Sequence, residues 1–230
     1  MTTAAVIVAA GRGDRFGNRG KIMTPICGRP MLAWSLDTLQ AVPAVRDIVI
    51  VVADHTEATV HDMLAREHWS KVLMTVQGAE LRHESVLAGL RVIPDDIDHV
   101  VIHDAARPLA TSDAFDTCIA AAQEHGAAIV ATPVTDTLKR IDEHGQIIET
   151  VDRHALWAAQ TPQAFDLARL REAFDHAATL RQAVTDEAIL FESMGWPVRI
   201  VPGNRENLKV TVPEDLVFAE FLLRRRLDAS

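Results

Sequence analysis

The chain of 230 residues is 48% hydrophobic and 24% charged, the composition of an ordinary globular protein rather than a disordered or fibrous one. Lys and Arg number 23 against 32 Asp and Glu, a formal net charge of -9 that argues against a general nucleic-acid binder and against adhesion to anionic lipid. No apolar run approaches the ~20 residues needed to cross a bilayer, and Met1-Thr2-Thr3 leads into a strand-like run with no basic residues in front, so a soluble, cytoplasmic protein is expected.

In chain order, Ala4 to Ala9 is a continuous apolar run of the kind shown by a strand buried on both faces. A Gly-rich loop follows, then a helix from Pro30 to Leu39 with Met31, Trp34, Leu36 and Leu39 at roughly helical spacing. Strands are predicted at Asp47 to Val52, Val72 to Val76, His99 to His103 and Ala127 to Thr132. Helices over Thr56 to Glu67, His83 to Arg91 and Ser112 to Glu124 separate them. This alternation predicts an α/β fold: one domain, residues 1–230, with a mostly parallel Rossmann-like sheet covered by helices on both faces. Ligands of such sheets bind at the carboxyl ends of the strands. The rhythm breaks after Pro133, where two short runs flank Glu143-His144-Gly145 and read as a β-hairpin over about 137–152. A hairpin alone buries little, so it either projects to dock on a second subunit or folds back on its own sheet. Helices over Leu167 to Leu180 and Asp186 to Met194, a strand at Val198 to Val201 and a helix from Pro213 to Leu227 complete the pattern. Cys27 and Cys118 have no metal-type spacing and adjoin apolar stretches, which reads as buried, reduced thiols.

Five segments carry the candidate chemistry. The first loop, residues 9–21, places Gly11, Gly13, Gly17 and Gly20 directly after a buried strand, where backbone N–H groups can point at an anion. Arg12, Arg15, Arg19 and Lys21 share the loop and would repel one another unless something anionic sits among them. A dinucleotide fingerprint fails, because the third glycine is at 17 rather than 16 and the candidate ribose acid Asp54 lies far beyond the expected ~20 residues. A P-loop fails as well, because Ile22 follows Gly20-Lys21. The spacing suits a triphosphate better than either.

His103-Asp104-Ala105-Ala106-Arg107-Pro108 ends a buried strand. Asp104 is placed there to bind Mg²⁺, which needs only one or two protein carboxylates, or to cap the turn and pair with Arg107. Gly78 to Val86 joins a strand to a helix on the same edge, and its backbone with Glu80, Arg82 and Ser85 could read the polar edge of a nucleobase or form a solvated turn with a Ser cap. Thr185-Asp186-Glu187 is the fourth segment. The fifth is Asn207-Leu208-Lys209-Val210-Thr211, where Lys209 interrupts a strand-like run and taken alone reads as an edge-strand charge.

Seven motifs in order, over about residues 4 to 222, resemble the 2-C-methyl-D-erythritol 4-phosphate cytidylyltransferase family. They are Ala9-Ala10-Gly11 with Gly13, Arg15 and Lys21; His103 to Pro108; Asp136 to Lys139; Thr150 to Arg153; Gln160 to Gln163; Thr185 to Glu187; and Asn207 to Thr211. The resemblance implies transfer of CMP from CTP to methylerythritol phosphate with release of pyrophosphate. It implies a loop of Ala9, Ala10, Gly11, Arg12 and Gly13 wrapping the triphosphate, with Arg15, Lys21 and Lys209 catalytic. Gly78, Ala79, Glu80, Arg82, Ser85 and Ala105 complete the CTP site, and Asp104 serves Mg²⁺. Thr137, Arg153, Arg107 and Asp104, with Lys209, correspond to positions that meet the methylerythritol phosphate, and the hairpin becomes the intersubunit arm of a homodimer.

The chain departs from the family pattern at Gly20, where proline usually precedes the lysine, and at Ile22, where glutamine usually follows. Ala79 and Glu80 stand where glycine and aspartate are common. Two alternatives stay open at this point: a ribitol 5-phosphate cytidylyltransferase of the same fold, and a protein that binds a nucleotide without turning it over.

Overall fold

A computed structural model describes residues 1–11, 13, 16–17, 20–180 and 184–229, the side chains of 178–180 excepted. Its elements in chain order are β1 (Thr3–Val8), a 3-10 turn at Lys21–Met23, β2 (Pro25–Ile26), β3 (Arg29–Pro30), α1 (Met31–Ala41), β4 (Val45–Val52), α2 (Asp54–Arg66), β5 (Val72–Gln77), α3 (Arg82–Leu90) and β6 (His99–Asp104). There follow α4 (Ser112–His125), β7 (Ala127–Pro133), β8 (Lys139–Ile141), β9 (Ile147–Thr150), β10 (Trp157–Asp166), α5 (Leu167–Leu180), α6 (Ala188–Ser193), β11 (Arg199–Pro202) and α7 (Pro213–Asp228).

Seven strands form one sheet in the order β11-β7-β10-β6-β1-β4-β5. The apolar runs are buried on both faces as expected, with Ala4 to Ile7 and Ile48 to Val52 fully covered. Alternate residues of β1 feed two cores. Ala5 and Ile7 pack with Leu32, Leu36 and Leu39 of α1 and Phe115 and Ile119 of α4, while Ala4 and Val6 pack with Val86 and Leu90 of α3 and Leu170 and Phe174 of α5. Gly89 allows α3 to lie close on this second face, since a Cβ there would come 2.7 Å from Val6 Cγ1.

The sheet is mostly parallel, but β10 runs antiparallel to both of its neighbours, β6 and β7, near the middle of the sheet. The sequence reading has no strand here. Pro162 sits inside the segment, and a proline demotes a run that would otherwise read as a central strand. The structure accommodates it with a register irregularity between Ala159 and Gln163, where the pairing of β10 with β7 is interrupted.

Two further expectations are corrected. Residues 207–211 form no strand, and Cys27 is half-buried rather than buried, whereas Cys118 is fully buried and its thiol is pushed up to about 12 by that burial. The hairpin does not fold back on the large sheet. β8 and β9 pair only with each other, and every residue in them is exposed, including Ile141, Ile147 and Ile148. Among the described residues no helix is long and apolar enough to cross a membrane.

The chain runs outward from β1 to β4 and β5, then returns to place β6 on the other side of β1. Such a reversal opens a crevice at the carboxyl ends of the two strands where it occurs. Here those ends are Val8 and Asp104.

Candidate active site

Each strand hands a loop to this crevice with its backbone pairing still running. Ala9 N–H donates to Val51 O at 2.8 Å, Ala105 N–H to Val8 O at 3.1 Å, and Gly78 N–H to Val52 O at 2.8 Å. The three loops therefore start from fixed points. Gly78 is also required by space: a Cβ there would lie 2.3 Å from Ala10 Cβ and 2.9 Å from Ser85 Oγ. Of the two readings the sequence leaves open for Ser85, the structure does not show the helix cap. Ser85 lies in the first turn of α3, buried, and its Oγ accepts from Ala79 N–H at 3.0 Å and donates to Ala79 O at 3.2 Å. The base-reading candidate loop is thus tied to its own helix.

The cleft so formed has a volume of about 180 Å³ and is lined by Ala10, Gly11, Lys21, Ala79, Glu80, Arg82, Ser85, Asp104 and Lys209, with Val8, Ile22 and Ala106. A second hollow adjoins it, sharing Arg82, Asp104 and Lys209 and adding Arg107, Gln160, Thr161, Gln163, Thr185 and Asp186. Ala9 and Ala105 are buried and, like Gly13 and Gly78, do not line either space, while Ala106 does. Arg12, Arg15 and Arg19 lie outside the described residues. Thr137 and Arg153 are exposed at the base of the hairpin, away from both hollows, where Arg153 donates to Thr135 O.

Asp104 is the electrostatic centre. Arg82 approaches its Oδ1 through Nε at 3.1 Å and Nη2 at 3.0 Å, and Lys209 Nζ donates to Oδ2 at 2.6 Å. Burial works against the charge on this carboxylate, but Arg82, Lys209 and Arg107 outweigh it and hold the group well below the usual carboxylate range. Asp104 is therefore ionised at neutral pH. Burial lowers the affinity of Arg107 for its proton, partly offset by Asp104. Arg82 is pushed the other way: burial would lower it, and the charges of Asp104 and Glu187 prevail.

Lys209 reaches the site because its segment is gripped from several sides. Val210 N–H donates to Ala106 O at 2.8 Å, Lys21 Nζ to Val210 O at 2.9 Å, and Arg107 Nη1 to Asn207 O at 2.7 Å. Asn207 Nδ2 donates to Gln160 Oε1 at 3.0 Å and to Thr161 O at 2.9 Å. Side chains and isolated backbone bonds replace a strand ladder, which is why an apolar-looking run with a lysine in it forms an ordered loop.

His103 is fully buried and packs edge-on to Phe115 with ring centroids 5.0 Å apart. Its Nδ1 lies 3.0 Å from Thr161 Oγ1, which also accepts from Asp104 N–H at 3.1 Å. Burial lowers the imidazole to about 4, so it is neutral at pH 7 and shares a hydrogen bond with the Thr161 hydroxyl. Thr161 had no individual role in the sequence reading, and neither had Glu187, which bonds Arg82 from behind. Nothing in their residue types or spacing gives them these partners, because their contacts join elements distant in sequence.

No group of three or more His, Cys, Asp or Glu able to hold a metal occurs among the described residues. The carboxylates lining the cleft are Glu80 and Asp104, of which Asp104 sits among cations at the strand end. This set fits an ion held chiefly by phosphate oxygens and water, in the manner of Mg²⁺, and does not fit an all-protein metal cage.

Comparisons with known proteins agree with this geometry. The sequence profile of the family IspD, 2-C-methyl-D-erythritol 4-phosphate cytidylyltransferase, matches residues 3–225. The chain is 45% identical over 222 residues to the 2-C-methyl-D-erythritol 4-phosphate cytidylyltransferase of Synechococcus sp. (strain CC9902), covering 96% of this chain and 97% of the relative. It is 43% identical over 224 residues to that of Nostoc punctiforme, covering 96% and 98%. Among solved structures, 4-diphosphocytidyl-2C-methyl-D-erythritol synthase from Anaerococcus prevotii superimposes with a TM-score of 0.85 at 31% identity, covering 97% of this chain and 98% of that one. The cytidylyltransferase from Thermus thermophilus gives 0.81 at 30% identity, covering 97% and 100%. On a shared fold, a shared order of motifs and matches across nearly the whole length, the chain belongs to the 2-C-methyl-D-erythritol 4-phosphate cytidylyltransferase family.

Proposed function

We infer that the chain is a nucleotidyltransferase that moves CMP from CTP to 2-C-methyl-D-erythritol 4-phosphate, giving 4-diphosphocytidyl-2-C-methyl-D-erythritol and pyrophosphate, a step of isoprenoid biosynthesis. The observation that carries this reading is the convergence of Lys21, Arg82, Arg107 and Lys209 on the hollows that share the ionised carboxylate of Asp104, at the strand ends of a chain that matches the family over residues 3–225. In the reaction a phosphate oxygen of the polyol phosphate forms a bond to the α-phosphorus of CTP, and the bond from that phosphorus to the bridging oxygen breaks, releasing pyrophosphate. The attacking oxygen is ionised at neutral pH, so no general base is required. The barrier is repulsion between anions, and fixed cations around the in-line transition state lower it.

The roles of the individual groups are those the family resemblance implies. Ala9 to Gly13, with Arg12, wrap the triphosphate; Arg15, Lys21 and Lys209 stabilise charge at the reacting phosphates; Gly78, Ala79, Glu80, Arg82, Ser85 and Ala105 complete the nucleotide site. Glu80 is a methylene longer than the aspartate common in the family, so base selectivity rests on a shifted carboxylate. Arg107, Asp104 and Lys209 meet the polyol phosphate. Thr137 and Arg153 serve the neighbouring subunit's site from the hairpin, in a homodimer that also buries the exposed isoleucines of the arm. Asp104 would hold a Mg²⁺ carried in on the triphosphate, whose contribution is to neutralise charge on the phosphate oxygens. Residues 1–230 form one catalytic domain with its arm, at work in the cytoplasm.

Incubation with CTP, Mg²⁺ and each polyol phosphate in turn, with pyrophosphate assayed, tests the reading. Release with methylerythritol phosphate is the expected result. Release only with ribitol 5-phosphate would move the chain to the sister activity, and none with either would make it a nucleotide-binding protein.

A further inference from the structure

Glu187, just before α6, is fully buried, and both of its carboxylate oxygens face one nitrogen: Arg82 Nη1 lies 2.7 Å from Oε1 and 2.8 Å from Oε2. The same guanidinium gives Nε and Nη2 to Asp104 Oδ1. A guanidinium has five N–H donors in a rigid plane. Two are directed at Glu187 and two at Asp104, so the orientation of Arg82 is fixed from both ends. Glu187 itself lies outside both hollows, and the segment that carries it is tied to β10 where Gln163 Nε2 donates to Asp186 Oδ2 at 3.1 Å.

Without the rear contact, Arg82 would be free to rotate and lay its whole edge along Asp104, covering both oxygens side-on. Lys209 and the cleft would then compete with it for Oδ2. We propose that Glu187 is a positioning residue, which touches no substrate but presets Arg82 between the nucleotide cleft and Asp104. The inference rests on the reading of the cleft as a CTP site. Desolvation raises the proton affinity of this buried carboxylate, and contact with Arg82 offsets part of that rise.

The test is a cycle of E187A, R82A and the double variant, with E187Q as an isosteric control. Kd for CTP is measured by calorimetry, KM for CTP and for the polyol phosphate by pyrophosphate release, and folding by thermal melting. Ordering one rotamer-rich side chain on binding costs affinity of about 2- to 12-fold. The expectation for E187A is a Kd and a KM for CTP raised by roughly that factor, a much smaller change in KM for the polyol phosphate, and no further loss when E187A is added to R82A. E187Q, which keeps one acceptor toward Nη1, should show a smaller shift in the same direction. CTP affinity within two-fold of the unaltered chain in both E187A and E187Q, with only the melting temperature lowered, would reduce Glu187 to a structural role and overturn the proposal. An equal further loss on the R82A background would overturn it too, since the effect would not pass through Arg82. The unaltered chain separates the two levels: if it binds no CTP, the functional reading fails and takes this inference with it, whereas normal binding there with unchanged variants defeats the inference alone.

Discussion

Lys209 Nζ lies 2.6 Å from Asp104 Oδ2, joining a loop 105 residues downstream to the end of β6. The contact makes Lys209 part of the site's charge balance rather than an edge-strand charge. Lys209→Ala leaves Asp104 with Arg82 as its one ion-pair partner among the described residues and, on the proposed reading, removes one cation from the reacting phosphates. Loss of one such preorganised donor costs on the order of 10²–10³ in rate. The expected outcome is a fall of that order in kcat/KM for pyrophosphate release, with partial recovery in Lys209→Arg. Near-native turnover in Lys209→Ala would remove the residue from the chemistry.

Lys21 carries a parallel expectation with a structural complication. Its Nζ donates to Val210 O at 2.9 Å, so the side chain both lines the cleft and holds the loop that bears Lys209. Lys21→Ala is expected to lower turnover by about 10²–10³ while the protein stays folded. Circular dichroism and a melting curve alongside the rate separate loss of chemistry from loss of the loop. An unfolded variant would mean that the Val210 contact matters more than the charge.

Acid sensitivity should come first from His103. Its ring is held neutral by burial, with the proton affinity lowered from 6.5 to about 4. The unfolded chain therefore binds a proton below pH 6.5 that the folded chain refuses until about pH 4, so stability falls as pH drops through that window. The full drop is on the order of 3 kcal/mol. His99, lowered by burial as well, adds in the same direction. Asp104, depressed by its cationic partners, contributes only below its unfolded value of 3.8. Urea unfolding at pH 7, 6, 5 and 4 should show the loss, and His103→Gln should flatten much of it. A curve of the same slope in the variant would place the protons elsewhere.

These contacts also mark what was legible beforehand. The apolar runs of β1, β4, β6 and β7 announce themselves because strands covered on both faces need no alternation, and the Gly-rich loop and Asp104 stand at ends those runs define. β10 was not legible, because Pro162 breaks the pattern locally and only its two antiparallel neighbours make the segment a strand. Asn207 to Thr211 looked like a strand and is a loop, since its hydrogen bonds go to Ala106, Lys21 and Arg107 rather than to a ladder. The partnership of Asp104 with Arg82, Lys209 and Thr161 depends on distances across the fold, and neither the motifs nor the family resemblance states it.

The exposed hairpin gives a test of assembly. If Thr137 and Arg153 serve the neighbouring subunit, then Arg153→Ala and Lys209→Ala chains, each inactive alone, should recover activity when mixed and allowed to exchange. Half of the dimers would be mixed and each would hold one intact site, so about a quarter of all sites should work. Ile147→Lys, placed on an arm residue that is 65% exposed, should shift the sedimentation of the protein from dimer toward monomer. No recovery on mixing, with dimers intact, would return Arg153 to a role within its own chain.

Two glycines of the loops that meet at the cleft, Gly78 and Gly11, should separate packing from binding. A Cβ at Gly78 meets Ala10 Cβ at 2.3 Å and Ser85 Oγ at 2.9 Å, and neither belongs to a long side chain that can swing away. Gly78→Ala must push the first loop and α3 apart, breaking the bonds of Ser85 to Ala79, at a cost of about 1–3 kcal/mol. At Gly11 a Cβ meets nothing within 4 Å, although the residue lines the cleft. Gly11→Ala should therefore melt like the unaltered chain and still bind CTP more weakly, because the methyl group occupies the space through which the backbone approaches a phosphate. Equal CTP affinity in Gly11→Ala would show that the triphosphate does not pass over this part of the loop.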